Sequence, residues 1–307
     1  MPESTYEAPG GSLLVEAGEA VQDLAGRLFA RRLSPDGPPA ARVEIATDEG
    51  AGPCPEPPAV ERLVRWEVEG DRVSCWAGSH VALSADRFRL LARGRVSGSL
   101  LSAEPSLCAR LLLETPAAHF ATATCQVLHA GAVAGRSGAV VLRGASGAGK
   151  STLVAALYRS GLRVLADESL LVSRADPDLL FAAVRDLTVR PDTADLLGLG
   201  SAARPAFSGG EEKLRLDLFP ASSPADRTAR RRATVLLGPR EPGPARLLPL
   251  DGPEFLSLFG AGAVSQETSW GGDPGPVAKA WARRETYRLL GASDLVGAVA
   301  LVTSLTG

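Results

Sequence analysis

The chain has 307 residues, enough for one or two domains with a sizeable core, and its 45% hydrophobic and 22% charged content is ordinary for a globular protein. A net charge of −2 provides no field that would draw nucleic acid or a membrane surface, so neither is expected as a partner. Cys54, Cys75, Cys108 and Cys125 are widely spaced without a C-x-x-C pair, so they read as small buried hydrophobes and signal neither a zinc site nor a disulfide framework. No apolar stretch approaches the length of a bilayer span, and no basic segment followed by an apolar run opens the chain, so a cytoplasmic protein is expected.

Taken in chain order, residues 1–12 are polar and read as a frayed end. Residues 13–33 carry Leu14, Val21, Leu24, Leu28 and Phe29 at helical spacing, which predicts a helix. Residues 42–46 predict a short strand between two Pro/Gly-rich stretches. Runs at 63–68, 72–77 and 80–83 predict further strands, the first two joined as a hairpin across Glu69-Gly70-Asp71. Residues 88–96 add another. Together, residues 1–100 read as a small α+β domain with an antiparallel sheet, and nothing in it carries recognisable chemistry.

Residues 105–124 are apolar at helical spacing, with Leu107, Leu111, Leu112 and Phe120. Residues 127–134 predict one strand containing His129. A turn at Gly135-Arg-Ser-Gly138 leads into a buried strand at 139–142, which makes a hairpin of the two. Then comes Gly144-Ala-Ser-Gly-Ala-Gly149-Lys150-Ser151-Thr152, followed by an apolar helical run to Tyr158. Residues 161–172 hold two apolar runs split by Asp167-Glu168. Residues 179–189 predict a strand or two, 198–212 a long Gly-rich loop, 214–218 a strand and 233–237 a buried strand. Residues 254–259, 276–290 and 294–305 predict helices, and no internal repeat is present.

The stretch 144–152 fits G-x-x-x-x-G-K-[ST] without a mismatch, in the strand–loop–helix setting that this pattern requires. Only three lysines occur in the chain, and one of them occupies the position that the pattern demands. Such a loop curls its backbone N–H groups around phosphates, and the helix start behind it adds partial positive charge. Gly144, Ser146, Gly147, Ala148, Gly149, Lys150, Ser151 and Thr152 therefore form a candidate nucleotide-phosphate cradle. Lys150 would bridge the β- and γ-phosphates of ATP, and the Ser151 hydroxyl would ligate Mg²⁺.

Leu128-His129-Ala, the glycine loop, and Gly161-Leu-Arg-Val-Leu-Ala-Asp167-Glu168 together resemble the HPr kinase/phosphorylase family. More broadly they resemble P-loop kinases with a phosphoenolpyruvate-carboxykinase-like core. The resemblance covers residues 105–175 and implies an α/β kinase domain over residues 101–307. It implies ATP and Mg²⁺ as cofactors and phosphoryl transfer to a Ser or Thr hydroxyl of a peptide or small protein. By the same resemblance Asp167 is the catalytic base, His129 orients it or approaches the phosphates, and Lys150 stabilises the transferring group. Glu168 replaces the family's second Asp and would help Ser151 hold the metal. Lys213 and Arg215, beside a Gly-rich stretch, are candidates for γ-phosphate contact. Relatives of this type often assemble, which makes a homo-oligomer an expectation. Some such relatives serve clusters that make ribosomally synthesised peptides. Two features of true HPr kinases are missing: their N-terminal domain over residues 1–100 and their Pro/Gly signature around 180–200. A relative with a different acceptor is therefore expected.

Alternatives remain open at this level. A small-molecule kinase would use the same core, and a non-catalytic nucleotide-binding module would keep the loop and lose the chemistry. A motor NTPase is disfavoured, because Asp167-Glu168 follows the loop helix immediately instead of ending a distant strand. Arg230, Arg231 and Arg232 would dock an acidic segment or simply face solvent. Trp270, Trp281 and Tyr287 would frame a groove or pack in the core.

Overall fold

The computed structural model describes residues 1–31, 41–49, 52–56, 59–183, 186–208, 210–218, 227–239, 241–264, 267–268 and 272–307. It is mixed α/β with several sheets, and divides into two compact units. Unit 1 comprises Met1–Ala123 and Ala202–Ala225; unit 2 comprises Thr124–Ser201 and Asp226–Gly307.

Unit 1 contains β1 (Glu3–Ala8), β2 (Gly11–Ala17), β3 (Ala30–Arg31), β4 (Ala41–Asp48), β5 (Val64–Glu69), β6 (Arg72–Ala77), β7 (Val81–Asp86) and β8 (Leu91–Ser97), in the order β3-β1-β2-β4-β8-β7-β6-β5. The expected antiparallel sheet is in fact mixed, since β2, β4 and β8 run parallel at its centre. Two further readings of this region are corrected. Residues 3–8 pair with 11–16 as an antiparallel hairpin instead of fraying. The expected helix over 13–33 is a strand followed by α1 (Glu19–Leu28). Leu13, Val15 and Ala17 alternate into the core at period two, whereas Val21, Leu24, Ala25 and Leu28 follow at helical spacing.

The helical segment after β8 is α2's successor in chain order, α2 itself being the single turn Ala59–Arg62. It runs through α3 (Gly98–Ala103), α4 (Pro105–Ala109), a π-turn at Arg110–Glu114 and α5 (Thr115–Ala121). Ser97 caps α3 by accepting the Leu100 N–H at 3.2 Å. Pro116 cannot donate to the preceding turn, which accounts for the π-turn in front of it. Leu107, Leu111 and Leu112 pack into the same core as the sheet, so the division falls after Ala123 and not at residue 100.

Residues 198–212, expected as a long loop, include β16 (Arg204–Ser208), which pairs with β17 (Glu211–Asp217) and belongs to unit 1. Glu61, 5% exposed, accepts the Phe207 N–H at 2.7 Å and an ion pair from Arg215.

His119 is buried on α5, its Nε2 2.9 Å from the Asp71 carbonyl. Burial, then the Arg87 charge, hold the imidazole below its ordinary value of 6.5, against the Asp71 hydrogen bond and nearby carboxylates. The unfolded chain therefore takes up a proton that the folded chain resists, and this contribution to stability disappears as pH falls through the unfolded value. Thermal melts at about pH 7.5 and about pH 5.5 should show a steeper loss for the native chain than for His119→Gln. Equal slopes would remove His119 from the acid response.

Unit 2 holds β9 (Cys125–Leu128), β10 (Gly131–Gly135), β11 (Gly138–Arg143), α6 (Lys150–Arg159), β12 (Arg163–Ala166), β13 (Leu170–Ser173), β14 (Leu179–Ala182), β15 (Asp186–Val189) and α7 (Pro191–Leu197). These are followed by β18 (Thr228–Leu237), β19 (Arg246–Pro249), α8 (Gly252–Ala261), α9 (Gly275–Trp281), β20 (Thr286–Leu290) and α10 (Leu295–Thr306). The main sheet runs β12-β10-β11-β18-β14-β13-β9, with β20 parallel to the end of β18 and β19 beside β20. β10 and β11 form the expected hairpin, and β10 is antiparallel to β12 as well, so β12 and β11 point the same way.

The single strand expected over 127–134 is two strands, broken at His129-Ala130. The helix expected over 276–290 stops at Trp281, and Thr286–Leu290 is a strand paired between β18 and β19. Tertiary pairing overrides its local spacing. Ala132, Ala134, Ala139 and Val141 pack toward Phe255, Phe259, Val277 and Trp281 of α8 and α9, while α6 and α10 lie against β10 and β11. Among the described residues no helix is long and apolar enough to cross a membrane.

Candidate functional site

Parallel β11, β12 and β18 end at the same edge of the sheet, the edge where ligands gather in α/β folds. The glycine loop leaves β11 there and enters α6 at Gly149, whose φ of 96° is left-handed, as is Gly147 at 81°. Gly144 sits so close to β18 that a Cβ would meet the Leu237 carbonyl at 3.0 Å. The Lys150 amine folds back over the loop, donating to the Gly144 carbonyl at 2.8 Å and the Ala145 carbonyl at 3.3 Å. Burial lowers its pKa, and the Arg143 charge lowers it further. Ser146 is exposed at the crest of the loop, and the Thr152 hydroxyl lies 3.1 Å from that of Thr193 on α7.

Asp167 follows the last residue of β12 and is 5% exposed. Its Oδ2 accepts the Thr188 N–H at 3.1 Å, and the Thr188 hydroxyl stands 3.4 Å away. The Ser151 hydroxyl is near enough to favour the ionised carboxylate, which places the acid beside the start of the loop helix. Oδ1 is buried and has no hydrogen-bond partner among the described residues. Burial outweighs the nearby Ser151 hydroxyl and the Thr188 bond and raises the carboxyl to about 6. Glu168, next in chain, is exposed.

His129 stands in the break between β9 and β10, with its imidazole close to the Glu168 backbone. Burial lowers its pKa, the Lys150 charge adds to this, and Glu168 and Glu267 oppose it. One feature had no signal in the sequence: Arg143, the last residue of β11, is 0% exposed and paired with Glu267, which is 1% exposed. Nη2 reaches Glu267 Oε2 at 2.9 Å, Nε donates to the Phe259 carbonyl at 3.1 Å, and the guanidinium lies 4.1 Å from the Phe259 ring centroid. The pair also holds both backbone groups of His129. Glu267 Oε1 accepts its N–H at 2.6 Å, and Arg143 Nη1 lies 3.4 Å from its carbonyl oxygen. No spacing rule links positions 143 and 267, since a short stretch far along the chain supplies the partner.

The loop, Asp167, Glu168 and His129 thus converge in unit 2. Lys213 and Arg215 lie on β17 of unit 1, where the buried Arg215 guanidinium is committed to Glu61. Arg230 pairs with Asp176 and buried Arg231 with Asp178, so this basic run is largely engaged within its own unit. Trp281 is fully buried, its Nε1 donating to the Pro177 carbonyl at 2.9 Å; Trp270 lies outside the described residues. Cys75, Cys108 and Cys125 are buried free thiols, and burial raises the pKa of Cys75 to about 12.

Among the described residues, no three His, Cys, Asp or Glu side chains converge as a metal-binding group. The Ser151 hydroxyl at the start of α6, with the exposed Glu168 carboxylate following Asp167, is nevertheless a donor set that fits Mg²⁺, which takes one or two protein oxygens and completes its shell with phosphates and water. No family model matches the chain, and no curated protein matches its sequence.

Proposed function

We propose that the chain is an ATP-dependent kinase with an HPr-kinase-like P-loop core, transferring the γ-phosphate to a Ser or Thr hydroxyl of a peptide or small protein. The observation that carries this reading is the buried Asp167 carboxylate. It lies beside Ser151 of the phosphate loop, accepts the Thr188 N–H, and keeps one oxygen unpartnered at the shared end of β11 and β12.

In this reading the loop N–H groups and the α6 N-terminus hold the phosphates, and Lys150 moves from the loop carbonyls onto the β- and γ-phosphates. Ser151 would hold Mg²⁺, with Glu168 reaching it through water; when bound, the ion neutralises charge on the transferring group. Thr188 pins Asp167 Oδ2, which leaves Oδ1 to take the acceptor's hydroxyl proton. His129 orients the acid through the Glu168 backbone. Phosphoryl transfer consists mainly of positioning and charge stabilisation, which is what these groups supply.

The test incubates the full chain with ATP, Mg²⁺ and a library of Ser- and Thr-containing peptides and small hydroxyl compounds, then reads phosphate addition by mass spectrometry. Phosphorylated peptides are expected, and Lys150→Ala should abolish them. Labelling that persists in that variant, or a native chain that labels nothing, defeats the kinase reading. Labelling of small compounds alone would replace the acceptor class.

A further inference from the structure

We infer that the chain forms a two-fold symmetric dimer through the outer edge of β5, which joins the unit 1 sheets of two copies into one continuous sheet. β5 ends the strand order, paired with β6 on one side and, among the described residues, with no strand on the other. Its side chains are exposed from Arg65 to Glu69, on both faces. Trp66 stands opposite the buried Cys75 and Val68 opposite the buried Val73, so both lie on the face that forms the core further in. Yet Trp66 is 47% exposed and Val68 39%. Leu63 and Trp76 beside them are exposed as well. An open edge strand that carries the apolar face of its sheet into solvent is a template for another strand.

The backbone is set for this pairing. The two-residue turn at Gly70-Asp71 makes Glu69 and Arg72 a hydrogen-bonded pair. Alternation from there turns the N–H and C=O groups of Val68, Trp66 and Val64 outward. The Arg65 guanidinium lies over this edge, donating to the Arg62 and Val64 carbonyls at 2.7 and 2.9 Å. The Glu67 carboxylate has no hydrogen bond or ion pair among the described residues.

The order of residues along β5 selects a second copy as the occupant. In an antiparallel pair centred on Trp66, that side chain meets its own copy, Val64 meets Val68, and Arg65 meets Glu67. Symmetry makes the charged contact twice. The apolar residues share one face and the opposite charges the other. Arg65 and Glu67 fall in the non-hydrogen-bonded pairs, where side chains stand closer. Centring the pair on Arg65 or Glu67 sets like charges opposite each other, and centring it on Val68 sets Glu67 against Glu69. One register is therefore favoured. Charges on an edge usually discourage pairing, but here their order complements itself when the strand is reversed. On pairing, Arg65 leaves the Val64 carbonyl, which accepts the N–H of the partner subunit's Val68.

Sedimentation velocity on the full chain, over about 1 to 100 µM, tests this. A pairing this short is a small interface, so a concentration-dependent dimer is expected. Arg65→Glu and Glu67→Arg should each raise the dimer dissociation constant at least about tenfold, because each sets like charges across the interface twice. Combining both reversals in one chain should bring it back to within about threefold of native. An equimolar mixture of the two single variants should form a heterodimer. Damage to the fold would produce neither rescue, and circular dichroism checks each variant for it. A native chain that stays monomeric throughout overturns the proposal. So does a dimer indifferent to both single reversals, or a folded double variant that does not recover. None of these outcomes bears on the kinase reading, which rests on residues of unit 2.

Discussion

Asp167→Asn should lower phosphoryl transfer by about 10²- to 10⁴-fold while leaving ATP binding within a few-fold of native. Asparagine keeps the shape of the side chain, and its amide oxygen still accepts from Thr188, so the 3.1 Å bond that seats this residue survives. What it loses is the capacity to accept a proton at the second oxygen, which has no partner in the native chain. The measurement pairs single-turnover transfer to a peptide found by mass spectrometry with calorimetric ATP binding. Near-native transfer would remove Asp167 as the base. Loss of binding equal to the loss of transfer would assign it to holding the nucleotide and metal instead.

The second large effect concerns the Arg143–Glu267 pair. Removing one partner leaves the other charged and buried, so Glu267→Leu alone should destabilise unit 2 by about 3–5 kcal/mol. Replacing both, as Arg143→Met with Glu267→Leu, should restore most of that stability, because apolar residues of similar volume often substitute well for a buried ion pair. Transfer should not return with it: the His129 N–H loses its 2.6 Å acceptor, and the strand break that seats the imidazole loosens. Urea denaturation and turnover, measured on the native chain and both variants, separate the two effects. A stable double variant with full turnover would reduce the pair to a structural role. Arg143 directly precedes Gly144 and its charge acts on Lys150, so a modest change in ATP affinity should accompany the loss.

How much of this was legible in the sequence varies with the range of the interaction. The hairpin at Glu69-Gly70-Asp71, the loop-flanking strand and helix, and the strands on either side of Asp167-Glu168 were readable, because each rests on neighbours in sequence. Residues 286–290 were misread because their helical spacing was overridden by pairing with β18 and β19, contacts made with segments some 40 to 50 positions away. The start of the chain was misread for a related reason: a polar run becomes a strand only because β2 lies beside it.

The sequence by itself determined the glycine loop between a strand and a helix, and the acid that follows the next strand. A loop that wraps phosphate is built from consecutive backbone groups, so its requirements for glycine and lysine are written locally. Only the tertiary structure decided that Asp167 meets Thr188, that Arg215 is committed to Glu61, and that Arg143 and Glu267 together grip His129. Those outcomes depend on which strands lie side by side and on which charges burial forces into pairs. Both are set by packing the whole chain, and neither leaves a periodic trace in it.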